Sequence, residues 1–125
     1  MAYLQQAFGK KNPNLPFHPA VRAGDFVFVS GQVAKDENGV MQEGTIEQLT
    51  RSTIEAMRRA LQSAGCDLAD VVKVTTYLED ARDFGRYNGV FKEYFPDGML
   101  ARTTVEARAV IDTKIEIECT AYKPL

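Results

Sequence analysis

Arg102 opens an alternating run in which Thr104, Glu106 and Arg108 share its face. A guanidinium fixed on a rigid strand can grip a carboxylate through two parallel hydrogen bonds; the competing reading is a surface ion pair. Glu116 and Glu118 lie on one face of the segment KIEIE, opposite Ile115 and Ile117, and solvent contact is the simplest explanation for such a pair. His18 is the only histidine, and Cys66 and Cys119 are far apart and form no CxxC pair. No zinc site of familiar ligand spacing can be assembled from them. Neither cysteine has a base at a recognisable spacing, so both read as structural thiols.

With 125 residues, 45% of them apolar and 26% charged, the chain has the composition of an ordinary globular protein and the length of one domain, residues 1–125. Its net charge of −2 provides no positive field for collecting phosphate backbones, which argues against nucleic acid as a partner. The adjacent basic pairs are Lys10-Lys11 and Arg58-Arg59, the second falling on what reads as the solvated face of a helix. No apolar run approaches the roughly 20 residues of a membrane span, and MAYLQQAFGKKNP lacks the apolar core of a signal sequence. Cytoplasmic residence with reduced thiols is the expectation.

The elements that must position these residues follow from periodicity. Ala20–Ala23 and the apolar run from Asp25 to Ser30 predict a hairpin about Gly24-Asp25, the second strand buried on both faces. Helical spacing of Ile46, Leu49, Thr53, Met57, Ala60, Leu61 and Ala64 predicts a helix opened by a Thr45/Gln48 capping box and stopped by Gly65. Val71–Leu78 reads as a strand with Val72, Val74, Thr76 and Leu78 on one face. A second helix is expected from about Asp83 to Phe95, lined by Phe84, Tyr87, Phe91, Tyr94 and Phe95 and ended by Pro96 and Gly98. Within it Gly85 and Gly89 suggest close packing against a strand. Two alternating strands, Ala101–Val110 and Lys114–Tyr122, close the chain as a hairpin about Ile111-Asp112-Thr113.

The order is β-β-(β)-α-β-α-β-β, an α/β fold with a mixed sheet and two helices on one of its faces. The other face then lacks a cover. Leaving two or three large apolar side chains wet forfeits roughly 1.5–3 kcal/mol apiece, so copies of the chain are expected to pack sheet against sheet.

Several stretches together resemble one known family, and they cover nearly the whole chain in that family's order. They are PFHPAVRAGDFVFVSGQ at Pro16–Gln32, the run from Ala64 to Leu78 ending DVVKVTTYL, the box NGVFKEYF at Asn88–Phe95, and ARTTVEA with KIEIE between Ala101 and Glu118. The family is that of the YjgF or Rid proteins, reactive-intermediate imine deaminases. The resemblance implies a chorismate mutase-like α/β fold and a homotrimer with its sheets packed inward and its sites between subunits. It also implies cofactor-free hydrolysis of 2-imino and 2-enamino acids to 2-keto acids and ammonia. Carried over by position, Arg102 is the carboxylate-binding arginine and Glu116 the water-activating glutamate, while Ser30, Gly31, Asn88 and Thr104 match other pocket positions.

Two positions depart from the family pattern. Phe17 stands where a tyrosine is common, removing a hydroxyl, and Thr104 stands where a cysteine is frequent. His18 is then either a replacement polar group or an ordinary loop histidine. Ser30 either donates a hydrogen bond to the ligand or satisfies its own turn. The alternatives within the resemblance are a catabolic deaminase of a larger substrate, of aminoacrylate or aminomuconate type, and a regulator that binds 2-keto acids without chemistry. Endoribonuclease activity, attached to some relatives, ranks last on charge grounds.

If Asp112-Thr113 is a two-residue hairpin turn, Glu116 faces position 109 and Arg102 lies about 23 Å further along at ~3.3 Å per residue. The two residues could then serve one pocket only if they came from different copies of the chain.

Overall fold

The computed structural model describes residues 5–125. Of the N-terminal segment read above for a signal sequence, the first four residues lie outside that range. The elements in chain order are β1 (Gln5–Phe8), β2 (Ala20–Ala23), β3 (Phe26–Gln32), α1 (Ile46–Ser63), β4 (Val71–Leu78), α2 (Phe84–Tyr94), β5 (Ala101–Glu106) and β6 (Ile115–Tyr122). The strands form one mixed sheet in the order β1-β2-β3-β6-β4-β5. β4 and β5 are parallel, and every other neighbouring pair is antiparallel.

Local chemistry explains most boundaries. The β2–β3 hairpin turns on Gly24-Asp25 with Ala23 opposite Phe26, and Gly24 takes φ +60°, a conformation that costs glycine little. Thr45 caps α1: its side chain accepts from the Gln48 N–H while the Gln48 side chain accepts from the Thr45 N–H. After the helix, Gly65 at φ +79° donates its N–H to the Gln62 carbonyl, closing the last turn. All seven helix-stripe positions from Ile46 to Ala64 are buried.

Both helices cover the same sheet face. Ile54, Met57 and Leu61 of α1, with Tyr87 and Phe91 of α2, meet Val27, Val29, Val74, Ile115 and Ile117 in one apolar cluster. Among the described residues no helix is long and apolar enough to cross a membrane.

Four expectations are corrected. β5 and β6 do not form a hairpin: β5 takes the sheet edge, parallel to β4, and β6 inserts between β3 and β4. With α2 as the connection, β4 and β5 make a βαβ unit, the usual way to join parallel neighbours. β3 is buried on one face only within the chain, since Val27 and Val29 are buried while Phe26 and Phe28 are 42% and 48% exposed. Val72 leaves the core face at 39% exposure, because a register shift between Val71 and Lys73 puts Val71 and Val74 inward instead. Gly85 and Gly89 pack against no strand among the described residues, where a Cβ at either position meets nothing within 4 Å.

Candidate active site

The sheet divides the expected site residues into two groups. Arg102 pairs in parallel register with Val74, which is fully buried on the helix side, so its side chain rises toward α2. There the guanidinium carbon lies 4.6 Å from the Phe91 ring centroid, 5.3 Å from Tyr87 and 5.7 Å from Phe84. None of the ion pairs among the described residues involves Arg102, so the surface ion pair is not what holds it. Asn88 lines the same cleft, about 410 Å³, along with Lys92, Phe95 and Leu100. Thr104 faces the same side two residues along β5, and its buried hydroxyl has no hydrogen-bond partner among the described residues.

Glu116 occupies the other group. It pairs with Tyr77 and sits between Ile115 and Ile117, which are fully buried on the helix side. The alternation of β6 therefore directs Glu116 to the open face. Glu118 shares that face and accepts a hydrogen bond from the Tyr77 hydroxyl at 3.0 Å, whereas the Glu116 carboxylate takes part in none of the hydrogen bonds found among the described residues. Partial burial pushes the Glu116 carboxyl above the ordinary carboxylate range, and the neighbouring Glu118 charge pushes it further. The two glutamates of KIEIE are thus chemically distinct, one tied and the other available as a base.

A β-bulge brings Gly31 to Glu116. Between Val29 and Gln32, β3 spends one residue more than β6 does from Cys119 to Ile117, a device that re-aims backbone. A Cβ on Gly31 would stand 2.9 Å from the Glu116 carboxyl carbon and closer still to Oε2. Neighbouring Ser30 donates its hydroxyl to the His18 carbonyl at 2.7 Å and its N–H to the Pro19 carbonyl at 2.9 Å. Ser30 therefore satisfies its own turn and keeps only acceptor capacity for a ligand. Phe17, just ahead of His18, is 48% exposed.

Ser30, Gly31 and Glu116 accordingly belong to one group, and Asn88, Arg102 and Thr104 to the other, while Phe17 lies in the loop just ahead of the His18 carbonyl that Ser30 binds. The hairpin estimate of 23 Å no longer applies, since β5 and β6 are not partners. What separates Arg102 from Glu116 is the sheet itself. Among the described residues no three histidine, cysteine, aspartate or glutamate side chains are grouped to hold a metal ion. Cys66 and Cys119 are buried free thiols, and burial pushes Cys119 up to about 12, which leaves it unreactive near neutral pH.

The family model described as endoribonuclease L-PSP matches residues 9–123. The chain belongs to this family, the YjgF or Rid proteins. A RutC family protein of Pyrococcus abyssi is 44% identical over 110 residues, covering 86% of this chain and 87% of that one. Human 2-iminobutanoate/2-iminopropanoate deaminase is 32% identical over 110 residues, covering 86% and 80%. A crystal structure from Thermotoga maritima matches with a TM-score of 0.88 at 34% identity, over 96% of this chain and 98% of that one. The Rid fold is thus present throughout.

Sequence reasoning took Phe84, Tyr87 and Phe91 as the core stripe of α2 and missed that they also underlie Arg102. Tyr87 is fully buried, and a buried phenol needs a partner. It finds one in Thr76, whose Oγ1 lies 2.6 Å from the Tyr87 hydroxyl.

Proposed function

We propose that this Rid protein hydrolyses 2-imino and 2-enamino acids to 2-keto acids and ammonia, in sites formed between neighbouring copies of a homotrimer. Each chain, a single Rid-type unit over residues 1–125, contributes Arg102 to one site and Glu116 to another. The observation that carries this reading is the pair of half-sites on opposite sheet faces. One offers a guanidinium that has no carboxylate partner among the described residues, the other a carboxylate with a raised pKa and no hydrogen bond among them. The relationship to the human imine deaminase supports the reaction type.

Arg102 binds the substrate carboxylate through paired hydrogen bonds and holds the C=N carbon in place, so that water attack becomes effectively intramolecular. Glu116 takes a proton from the attacking water as its oxygen bonds to that carbon, and passes the proton to nitrogen. The carbinolamine then collapses: the C–N bond breaks, the C=O bond forms, and the hydroxyl proton leaves with nitrogen as ammonia. A base with a raised pKa suits this exchange near neutrality, and such help is typically worth about 10²–10⁴-fold. The raised Glu116 favours catalysis over mere keto-acid binding. Substrate is a small organic acid, no cofactor is required, and cytoplasmic residence with Cys66 and Cys119 as thiols belongs to the same reading.

The test is a time course of ammonia and keto-acid release from imines generated in situ by an amino-acid oxidase. Wild type is expected to accelerate release, Arg102→Ala to abolish the acceleration, and Glu116→Ala to reduce it by roughly 10²-fold or more. Release at the uncatalysed rate with wild type would refute the reading.

A further inference from the structure

We propose that the aromatic face of α2 is a positioning device for Arg102, with Phe84, Tyr87 and Phe91 as positioning residues for carboxylate recognition. This rests on the reading of Arg102 as the substrate clamp. Three ring centroids lie within 6 Å of one guanidinium carbon, and a cation over a ring face is held by the ring's quadrupole within about that distance. The rings supply attraction without supplying a hydrogen-bond acceptor. A carboxylate in their place would also orient Arg102, but it would occupy the donors that the substrate needs and cancel the charge that attracts it. Rings hold the guanidinium by its charge and leave its N–H groups for a ligand.

The device is anchored. Tyr87 is fully buried, and its hydroxyl is hydrogen-bonded at 2.6 Å to Thr76 of β4, which pairs with Thr104 of β5. Helix α2 is therefore locked to the strand beside the one bearing Arg102. Phe91 stacks in turn on Phe95, 4.6 Å away, on the wall of the cleft that Arg102 and Asn88 line. The spacing Phe84, Tyr87, Phe91 follows the helical repeat, so one stripe serves both the core and the arginine.

Two pairs of variants test it, with 2-oxobutanoate as the calorimetric probe and steady-state kinetics on an in-situ imine. Phe91→Leu keeps an apolar side chain of similar reach but removes a ring face. It is expected to weaken 2-oxobutanoate binding by roughly 3- to 30-fold, the range a single cation–ring contact spans, and to raise KM more than it lowers kcat. Phe84→Leu, at a position 43% exposed where folding is not at stake, is expected to act in the same direction, while Phe84→Tyr, which restores a ring, retains wild-type binding. Arg102→Ala is the reference and is expected to abolish binding. If it does so while Phe91→Leu and Phe84→Leu bind and turn over as wild type, the aromatic device is overturned and the clamp stands. If Arg102→Ala binds the probe as wild type, the clamp falls and the device with it.

Discussion

Arg102 and Glu116 point to opposite faces of one β-sheet. Arg102 is in register with Val74 on the helix side, and Glu116 with Tyr77 on the open side. Side-chain rotation does not bring them together, because the sheet's hydrogen-bonded backbone lies between. A pocket that uses both must take one from each of two chains, and the proposed assembly would bury the open face. Phe26, Phe28 and Tyr122 form a tilted aromatic group there, with centroids 5.2 Å and 6.5 Å apart.

Phe28→Glu tests that face. The side chain projects away from the core, so the variant is expected to keep its far-ultraviolet circular dichroism while sedimenting as a monomer. Each copy forgoes roughly 1.5–3 kcal/mol of burial and gains a charge at the contact. Deaminase activity should fall to background with it. An active monomer would separate catalysis from assembly.

Gly31→Ala is expected to uncouple activity from stability. The new Cβ would meet the flexible end of Glu116, which can swing aside, so melting should change little. A displaced base is costly, since misplacement by about 1 Å can reduce rate by about 10²-fold. Turnover should fall by that order while 2-oxobutanoate binding, which depends on Arg102, is retained. Wild-type turnover would place Glu116 outside the reaction.

The titration of Glu116 gives a pH signature. Its folded pKa is raised above the ordinary 4.5 by burial and by Glu118, so the acid limb of kcat/KM should have its midpoint above 4.5, and Glu118→Gln should move it to lower pH. For stability the sign is that of a raised carboxyl: the folded state holds its proton more tightly, and this advantage is lost as pH rises through the folded pKa. Glu116→Gln should therefore be at least as stable as wild type at neutral pH, with the difference closing below about pH 4. A variant less stable at neutral pH would contradict burial as the cause.

Features encoded within a few residues were legible from the sequence. The Gly24-Asp25 turn, the Thr45/Gln48 box, the Gly65 stop and the span of α2 each depend on neighbours in the chain. The pairing of β5 was not, because an alternating strand followed by Ile111-Asp112-Thr113 is locally compatible with a hairpin. The choice of the β4 edge is made by α2, whose packing on the sheet returns the chain alongside β4, and by the apolar face of β6, whose Ile115, Ile117, Cys119 and Ala121 are buried at the sheet centre. The bulges at Val72 and at Ser30-Gly31 were equally hidden, since an inserted residue leaves no mark in a period-two pattern. At the site, resemblance supplied the names Arg102 and Glu116, but their separation onto two faces needed the registers.

Subunit complementation tests the central claim most directly. Arg102→Ala and Glu116→Ala chains, the first expected to be inactive and the second to be reduced by roughly 10²-fold or more in its own oligomer, are mixed in equal amounts, allowed to exchange subunits, and assayed once native mass spectrometry shows mixed oligomers. If every site draws its arginine from one copy and its glutamate from the next, random mixing restores about one quarter of wild-type sites. Mixed oligomers with no activity above the two parents would contradict a shared site.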